Sequence, residues 1–159
     1  MAGILERLGR MGVAVSSSKW GGIFYYVVCR RVDRVLIPLT AGRLSMGPPG
    51  RTVLISNTGA RSGKLRKTSL AFLWRGDDMV VIASKGGSPR HPAWYHNLKA
   101  NPQVRVQYRG GDEQRVAREA LGEERDALFA EAAATYPNFA AYQKRATGRT
   151  IPVMVLSRA

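Results

Sequence analysis

Cysteine and histidine, the residues that most often form disulfides or bind zinc, are scarce in this sequence. Its 159 residues include one cysteine, Cys29, and two histidines, His91 and His96. A single cysteine excludes an intrachain disulfide, and the spacing of these three residues matches none of the usual zinc motifs. We therefore expect no metal centre, and the cysteine content is compatible with a reducing cytoplasm.

A long apolar run is also lacking. The most hydrophobic stretch, residues 20–29, falls far short of the about 20 residues that a spanning helix needs, and charged residues follow it from Arg30 to Arg34. No small-residue cleavage site follows a basic start, so we expect neither a span nor a signal peptide. The segment is typical of a basic amphipathic helix, which either covers its own domain or lies on the inner, anionic surface of a membrane.

Acidic residues are few. The chain has 25 Lys and Arg against 11 Asp and Glu, a net charge of +14 and a sequence pI near 10.9. Residues 1–50 carry seven basic and two acidic residues, and residues 51–90 carry eight and two. This excess predicts an anionic partner such as a phosphorylated ligand, acidic lipid or nucleic acid. The length suits one domain.

The hydrophobic pattern changes from helical to strand-like after a Gly/Pro-rich hinge at residues 42–50. We expect an N-terminal basic amphipathic helical segment over residues 1–50 and a binding domain over residues 51–159. Alternation and turn residues predict an α+β fold, with mostly antiparallel strands closed into a small barrel. The predicted strands are 52–57, 67–75, 79–83, 103–109, 113–120 and 151–156, and the predicted helices are 92–100, 122–135 and 138–146.

Two segments carry candidate chemistry. In the first, "VVIASKGGSPRHPAWYHNLKANP", an apolar strand ends at Ser84-Lys85, two glycines free the backbone, and a helix begins at Pro92. A lysine, free amides and a helix start can together hold an anion. The alternative is a solvated loop in which Trp94 and Leu98 simply pack into the core.

The second segment, "NTGARSGKLRKTS", places four cations and two glycines between two strands. It is not a nucleotide-hydrolysing phosphate loop, because only three residues separate Gly59 from Gly63 and Leu65 replaces the Ser or Thr that binds magnesium. Guanidinium groups and free amides nevertheless suit a phosphodiester or several carboxylates. A solvated basic turn is the alternative for this segment taken alone.

Together these segments resemble the deazaflavin-dependent nitroreductases, actinobacterial oxidoreductases that use coenzyme F420. The resemblance covers about residues 50–157 and rests on the basic loop, on ASKGG, on HPAWYHNL and on "TYPNFAAYQKRATGRTIPVMVL". It implies a split β-barrel of the FMN-binding, pyridoxamine-phosphate-oxidase type. The coenzyme combines a flat deazaflavin ring with a phosphate and a polyglutamate tail, which would explain why a lysine, arginines and aromatic residues follow an apolar strand.

The resemblance implies site residues by position. The residues around the coenzyme would be Ala60, Arg61, Ser62, Lys64, Arg66, Lys67, Thr68, Ser69, Ile82, Ala83, Ser84, Lys85, Ala93, Trp94, Tyr95, His96 and Asn97. Of these, Arg61, Ser62, Arg66 and Lys67 would hold the phosphate and tail. The acceptor would contact Ala71, Tyr136, Phe139 and Tyr142, and the candidates for a catalytic role are Ser84, Tyr136 and Tyr142. We assign His91 and His96 to structure or the solvent face rather than to proton donation.

The implied activity is hydride transfer from reduced F420 to a quinone, an enone or a nitroaromatic compound, with an F420-reducing dehydrogenase as the indirect source of reduced coenzyme. Alternatives are an FMN-dependent flavoprotein and a non-catalytic module that stores the coenzyme or a lipid. Nucleic-acid binding is disfavoured because no aromatic residues alternate with the cations as stacking platforms. Departures from the family pattern, namely Arg61, Leu65, Ala71 and Phe139, leave coenzyme use better supported than nitroreduction.

Overall fold

The computed structural model describes residues 19–159, and it describes side chains from residue 28 onward. Predictions that concern residues 1–18 lie outside this range. The elements are α1 (Lys19–Leu39), β1 (Thr52–Thr58), β2 (Leu65–Arg75), β3 (Asp78–Ile82), a 3-10 turn (Lys85–Gly87), α2 (Ala93–Ala100), β4 (Gln103–Tyr108), β5 (Gly111–Ala120), α3 (Gly122–Thr135), α4 (Asn138–Arg145) and β6 (Val153–Arg158).

The six strands form a closed barrel in the order β1-β2-β3-β6-β5-β4, and each neighbouring pair is antiparallel. The α+β class and the barrel are thus confirmed. Most strand boundaries differ from the prediction by one or two residues; β5, for example, begins at Gly111 rather than at residue 113. Two of these shifts have a clear physical cause. The strand β2 begins at Leu65, because its ladder with β1 continues to the Thr58–Leu65 pair. The strand β6 begins at Val153, because the amide of Ile151 donates to Gln143 and Pro152 has no amide hydrogen.

Two apolar clusters form the core on the two faces of the sheet. One cluster includes Phe72, Met79, Val81, Trp94 and Leu98. The other packs β3 and β6 against α3 and α4. The strand β3 serves both clusters, since its alternate side chains point to opposite faces. This explains why Val80 to Ala83 is continuously apolar in the sequence.

The antiparallel register places the candidate segments at one rim of the barrel. At that rim β1 ends and β2 begins, through the Thr58–Leu65 pair, and β3 ends beside the start of β6, through the Ile82–Val153 pair. The strand β4 also starts there, because Asn57 pairs with Val104. The loops over residues 59–64, 83–92 and 146–152, which are distant in sequence, therefore lie at the same end of the molecule.

The helix α1 is attached to the barrel through a buried carboxylate. Asp33, which is 2% exposed, accepts a 2.6 Å hydrogen bond from the Ser69 hydroxyl of β2 and a 2.7 Å bond from the Met46 amide. Removing this carboxylate would leave the buried Ser69 hydroxyl without its acceptor. The described part of the N-terminal segment thus packs on the domain, while its division from the domain at residue 50 stays a prediction.

The opposite rim is fixed by a buried cation. Arg115 is completely buried and donates to the carbonyls of Asp77 and Leu156 at 2.7 and 2.8 Å and to Glu113 at 2.7 Å. Its guanidinium lies 5.4 Å from the ring centre of Trp74. Trp74 itself is only partly packed: it contacts Phe72 and Tyr108 edge-on and is 42% exposed.

Candidate functional site

The turn over residues 84–88, called here the 84–88 turn, has an unusual backbone. Ser84 is right-handed at φ −71°, whereas Lys85, Gly86 and Gly87 are left-handed at φ 48°, 64° and 80°. A right-handed residue followed by a left-handed one directs successive amides toward one side, which is a known anion-binding arrangement. The left-handed region costs a lysine about 1 kcal/mol, so other contacts must stabilise this turn. Ser84 is buried and Lys85 is exposed.

Arg149, from the loop between α4 and β6, supplies those contacts. Its guanidinium donates to the Ser84 carbonyl at 2.9 Å and to the Ser88 carbonyl at 2.8 Å, and it lies 3.0 Å from His91 Nδ1. Sequence reasoning missed Arg149. Its only signal was a position just before the strand that pairs with β3, and that pairing could not be deduced with certainty from the sequence.

The contact with His91 indicates its protonation state. Burial lowers the pKa of His91 below its usual 6.5, and the positive charge of Arg149 and the proximity of His96 lower it further, against a smaller opposing effect of Glu119. The imidazole is therefore neutral at pH 7, and Nδ1 accepts a hydrogen bond from Arg149. This geometry agrees with the structural role expected for His91.

The basic loop is attached to α2 through asparagine side chains. The Ala60 amide donates to Asn97 Oδ1 at 3.0 Å, which brings together two residues predicted for the site. Asn57 Nδ2 lies 3.4 Å from the Trp94 carbonyl. Asn57 Oδ1 is buried and has no hydrogen-bond partner among the described residues. Sequence reasoning did not select Asn57, because an asparagine before a glycine-containing turn is ordinary turn composition.

The cations of this loop are not neutralised by protein acids. Arg61, Lys64 and Arg66 are exposed and Lys67 is half-buried, and the ion pairs of the described residues include none of the four. Arg66 donates to the Ser62 hydroxyl at 3.4 Å. The loop therefore presents several unpaired positive charges to solvent at the rim that carries the 84–88 turn, as a polyanionic ligand would require.

Several predicted residues have partners that restrict what they can do. Trp94 lies in the core inside the barrel. The Tyr95 hydroxyl donates to Glu119 at 3.1 Å, and Lys99 pairs with the same carboxylate at 2.6 Å. Burial and Glu119 raise the pKa of Tyr95. The Ser69 hydroxyl donates to Asp33, so it already has a partner within the protein.

The remaining predicted residues of these elements differ in exposure. Thr68, Ile82 and Ala83 are buried, while Ala93 and His96 are exposed. Of this group, Ala93 and His96 are the two whose side chains solvent, and hence a ligand, can reach.

The aromatic residues predicted to contact the acceptor lie next to one another on the same core cluster. The rings of Tyr136 and Phe139 lie 5.8 Å apart and those of Phe139 and Tyr142 lie 6.1 Å apart, in both cases edge to face. All three are half-buried against the outer core cluster. The Tyr136 hydroxyl donates to the Phe72 carbonyl at 3.2 Å, beside Ala71, and burial raises the pKa of Tyr136.

The helix α4 lies directly against the 84–88 turn. A Cβ atom added to Gly87 would lie 2.7 Å from both the Tyr142 carbonyl and the Arg145 Cβ atom. Only glycine allows this approach at this left-handed position. The helix that carries Phe139 and Tyr142 is therefore in contact with the candidate anion turn, through the Tyr142 backbone and Arg145.

A separate open cleft of about 550 Å3 lies at the other rim, between the end of α1 and the β4–β5 turn. Its lining includes Arg43, Gln107, Arg109 and Asp112, and none of the predicted site residues. Asp112 is bound by Arg105 and Gln107. We assign the candidate site to the first rim, because the unpaired loop cations and the left-handed turn lie there.

The fold and this rim define a split-barrel protein with a mouth suited to a polyanionic, partly aromatic ligand. The chain belongs to the family described as F420H(2)-dependent quinone reductase, whose model matches residues 30–158. The match begins within α1, so it includes the anchoring residue Asp33.

Individual relatives agree with this assignment. The F420H(2)-dependent quinone reductase of Mycobacterium tuberculosis strain ATCC 25618 / H37Rv is 41% identical over 91 residues, which are 56% of this chain and 61% of that protein. The alignment thus spans less than two thirds of that relative. A second protein of the same strain, provisionally given the same name, is 32% identical over 110 residues, or 68% of this chain and 90% of its own.

Two solved structures are also similar to this chain. The structure of the F420-H2 dependent reductase FDR-A is 44% identical and superposes with a TM-score of 0.59, covering 67% of this chain and 94% of that one. A structure described as a domain-swapped dimer is 39% identical with a TM-score of 0.65, covering 80% of this chain and 94% of that one.

The close approach of α4 to Gly87 generates a test of the site geometry. We expect Gly87→Ala to lower the free energy of unfolding by about 2 to 4 kcal/mol, since it combines left-handed strain with overpacking against α4. Gly86→Ala is the matched control, because Gly86 is also left-handed but nothing lies within 4 Å of its added Cβ. It should cost about 1 kcal/mol. Urea unfolding measures both, and equal losses would contradict the packing described here.

Proposed function

We propose that this protein is an F420H2-dependent reductase that reduces a quinone, with enones and nitroaromatic compounds as further acceptors. The observation that carries the proposal is that the unpaired loop cations and the left-handed 84–88 turn lie at one rim, with α4, which carries Phe139 and Tyr142, packed against that turn. Within the described residues, no cluster of three or more His, Cys, Asp or Glu side chains could hold a metal. An F420-reducing dehydrogenase would supply the reduced coenzyme.

The rim residues fit the coenzyme's anionic groups. Ser84 and Lys85 would hold the phosphate, since the turn directs its amides to one side and the lysine adds a charge. Arg61, Lys64, Arg66 and Lys67 would bind the polyglutamate tail. The Ala60–Asn97 hydrogen bond fixes the loop relative to α2.

The bound coenzyme would supply the hydride, so the protein needs no nucleophile. Its residues would position the acceptor and exclude water. Phe139 and the rings of Tyr136 and Tyr142 offer an apolar contact surface. A tyrosine phenol is protonated at neutral pH, and burial raises the pKa of Tyr136 further. Its hydroxyl is engaged with Phe72, so turning toward the acceptor would cost that hydrogen bond.

Coenzyme binding is the first test. We expect the protein to bind F420 more tightly than FMN, with affinity that rises with tail length and falls with salt because exposed charges are screened. Replacing Lys64, Arg66 and Lys67 together by Gln should raise the Kd about tenfold to about a hundredfold. Replacing Arg75, Arg105 and Arg118, three exposed cations that are each paired with an acid outside the basic loop, by Gln is the control for the change in total charge. Fluorescence titration gives the values.

Two outcomes would contradict this prediction. Equal affinity for tail-less and long-tailed coenzyme would remove the role of the loop cations. Tighter binding of FMN would favour the FMN-dependent alternative, since the fold alone does not separate the two coenzymes.

Variants of the three aromatic residues test the choice of acceptor. With Phe139 between two tyrosines, the protein should reduce menadione efficiently and a nitroimidazole slowly, because no hydroxyl occupies the central position. Phe139→Tyr should raise nitroimidazole kcat/KM and leave coenzyme Kd nearly unchanged. Tyr136→Phe and Tyr142→Phe should lower kcat/KM for the acceptor.

Steady-state oxidation of reduced F420 measures these changes. Unaltered kcat/KM in all three variants would show that the aromatic face is packing only. No acceleration by wild-type protein with any quinone, enone or nitro compound would favour a non-catalytic storage protein.

We also propose a peripheral contact of α1 with an anionic membrane surface on the cytoplasmic side. Four apolar side chains, Val28, Val32, Val35 and Leu39, are exposed along the helix, Val35 at 60% and Leu39 at 78%. Arg31 and Arg34 are exposed beside them. Among the described helices none has the length and hydropathy of a membrane span. The combination suits a helix that lies at the interface.

Vesicle partitioning tests this contact. Val35→Asp with Leu39→Asp should lower binding to anionic vesicles about tenfold or more, since apolar burial and charge attraction are both reduced. Leu121→Asp is the control, because Leu121 is 71% exposed on a different surface. Partitioning equal to that of the control would refute the membrane proposal.

A further inference from the structure

Arg149 connects the 84–88 turn to the segment that leads into α2. The guanidinium reaches three carbonyl groups of one strand end and turn, at 2.8 Å for Ser88, 2.9 Å for Ser84 and 3.5 Å for Ala83. Its fourth partner is His91 Nδ1 at 3.0 Å. No acid pairs with Arg149 among the described residues, so its charge is directed entirely at backbone carbonyls and a neutral imidazole.

We propose that Arg149 is a positioning residue that holds the 84–88 turn in its ligand-binding conformation, and that His91 makes this hold dependent on pH. The inference rests on the proposed function only in using F420 as the probe. Arg149 does not itself belong to the anion-binding residues. It fixes the carbonyls of the turn on the side away from the amides, and so keeps the amides of Ser84 and Lys85 directed at the ligand.

Arginine suits this task because its planar group has five donors in fixed directions. The left-handed Lys85 between the two bonded carbonyls would otherwise relax, since a lysine disfavours that conformation. A lysine at position 149 has a single ammonium group and cannot reach Ser84, Ser88 and His91 with the same geometry. The strained backbone therefore depends on the shape of the guanidinium and not on its charge alone.

The groups that face His91 determine the direction of the pH effect. Arg149 approaches from the α4–β6 loop, Tyr95 and His96 contact the ring from α2, and Glu119 acts from β5. Protonation would remove the lone pair that accepts from Arg149 and place two cations 3.0 Å apart. The fold lowers the pKa of His91. The stabilisation that the Arg149–His91 hydrogen bond gives to the turn is therefore complete above about pH 6.5 and is lost as the pH falls below it.

The test is F420 binding by the full-length protein, titrated by fluorescence between about pH 5.5 and about pH 8. Binding of F420 by the wild-type protein at the upper pH is measured first. If the wild-type protein does not bind F420, the proposed function is refuted, and the role of Arg149 is then tested by the hydrogen-exchange experiment below. We expect Arg149→Gln to raise the Kd about tenfold and Arg149→Lys to raise it nearly as much. Arg109→Gln, which removes the same charge at the opposite rim, should bind like wild type.

His91→Asn separates the two parts of the proposal. Its Oδ1 retains an acceptor where Nδ1 was and does not titrate, so affinity at the upper pH should be preserved and the extra loss of affinity in acid should disappear. The ionisation of the coenzyme itself is common to both proteins and cancels in the comparison. An acid loss equal to that of wild type would overturn the role of His91.

A second readout needs no coenzyme. Hydrogen exchange of the amides of residues 84–88 should be faster in Arg149→Gln and Arg149→Lys than in wild type, with the barrel strands unchanged, whereas Arg109→Gln should leave all of them unchanged. Exchange and Kd in both Arg149 variants equal to those of Arg109→Gln would overturn the proposal.

Discussion

Closure of the barrel is the constraint on which the site depends. The strand β1 pairs with β2 on one side and with β4 on the other, and β3 pairs with β6, more than 70 residues further along the chain. Since a one-residue slip would turn every side chain to the opposite face, the two buried faces of β3 fix the register. The register in turn fixes where strands end. The basic loop, the 84–88 turn and the loop that carries Arg149 meet because their strands end at the same rim.

The main contribution of α2 to the candidate site is to hold other segments in place, and few of its side chains line the site. Trp94 and Leu98 fasten the helix to the core, and the hydrogen bonds of Tyr95 and Lys99 to Glu119 fasten it to β5. The fixed helix then holds the basic loop through Asn97 and the Ala60 amide. A residue can thus match a motif because it supports a ligand-binding loop, without its side chain contacting the ligand.

The features that could be predicted from the sequence are those that depend on local residue patterns. Strands, the α+β class and the barrel followed from alternation, and the 84–88 turn followed from two glycines after an apolar strand. What it could not predict depends on pairs distant in sequence: Asp33 with Ser69, Asn57 with Trp94, and Arg149 with Ser84 are separated by 36, 37 and 65 residues. A hydrogen-bond partner is a property of register and burial, and a single sequence specifies neither directly. For the same reason the motif could nominate Ser69 as a site residue but could not show that the Ser69 hydroxyl donates to Asp33.

The distribution of charge, rather than its total, connects the fold to its ligand. Several acids elsewhere are paired with cations, as in Arg105 with Asp112, Arg118 with Glu124 and Arg115 with Glu113. The cations of the basic loop have no such partners among the described residues, so they repel one another in the free protein. A polyanion bound at this rim, as proposed above, would relieve this repulsion and stabilise the folded state. Selection for binding at this rim therefore opposes selection for stability of the free protein, and the buried contacts of Arg115 and Asp33 supply stability at positions where no ligand is needed.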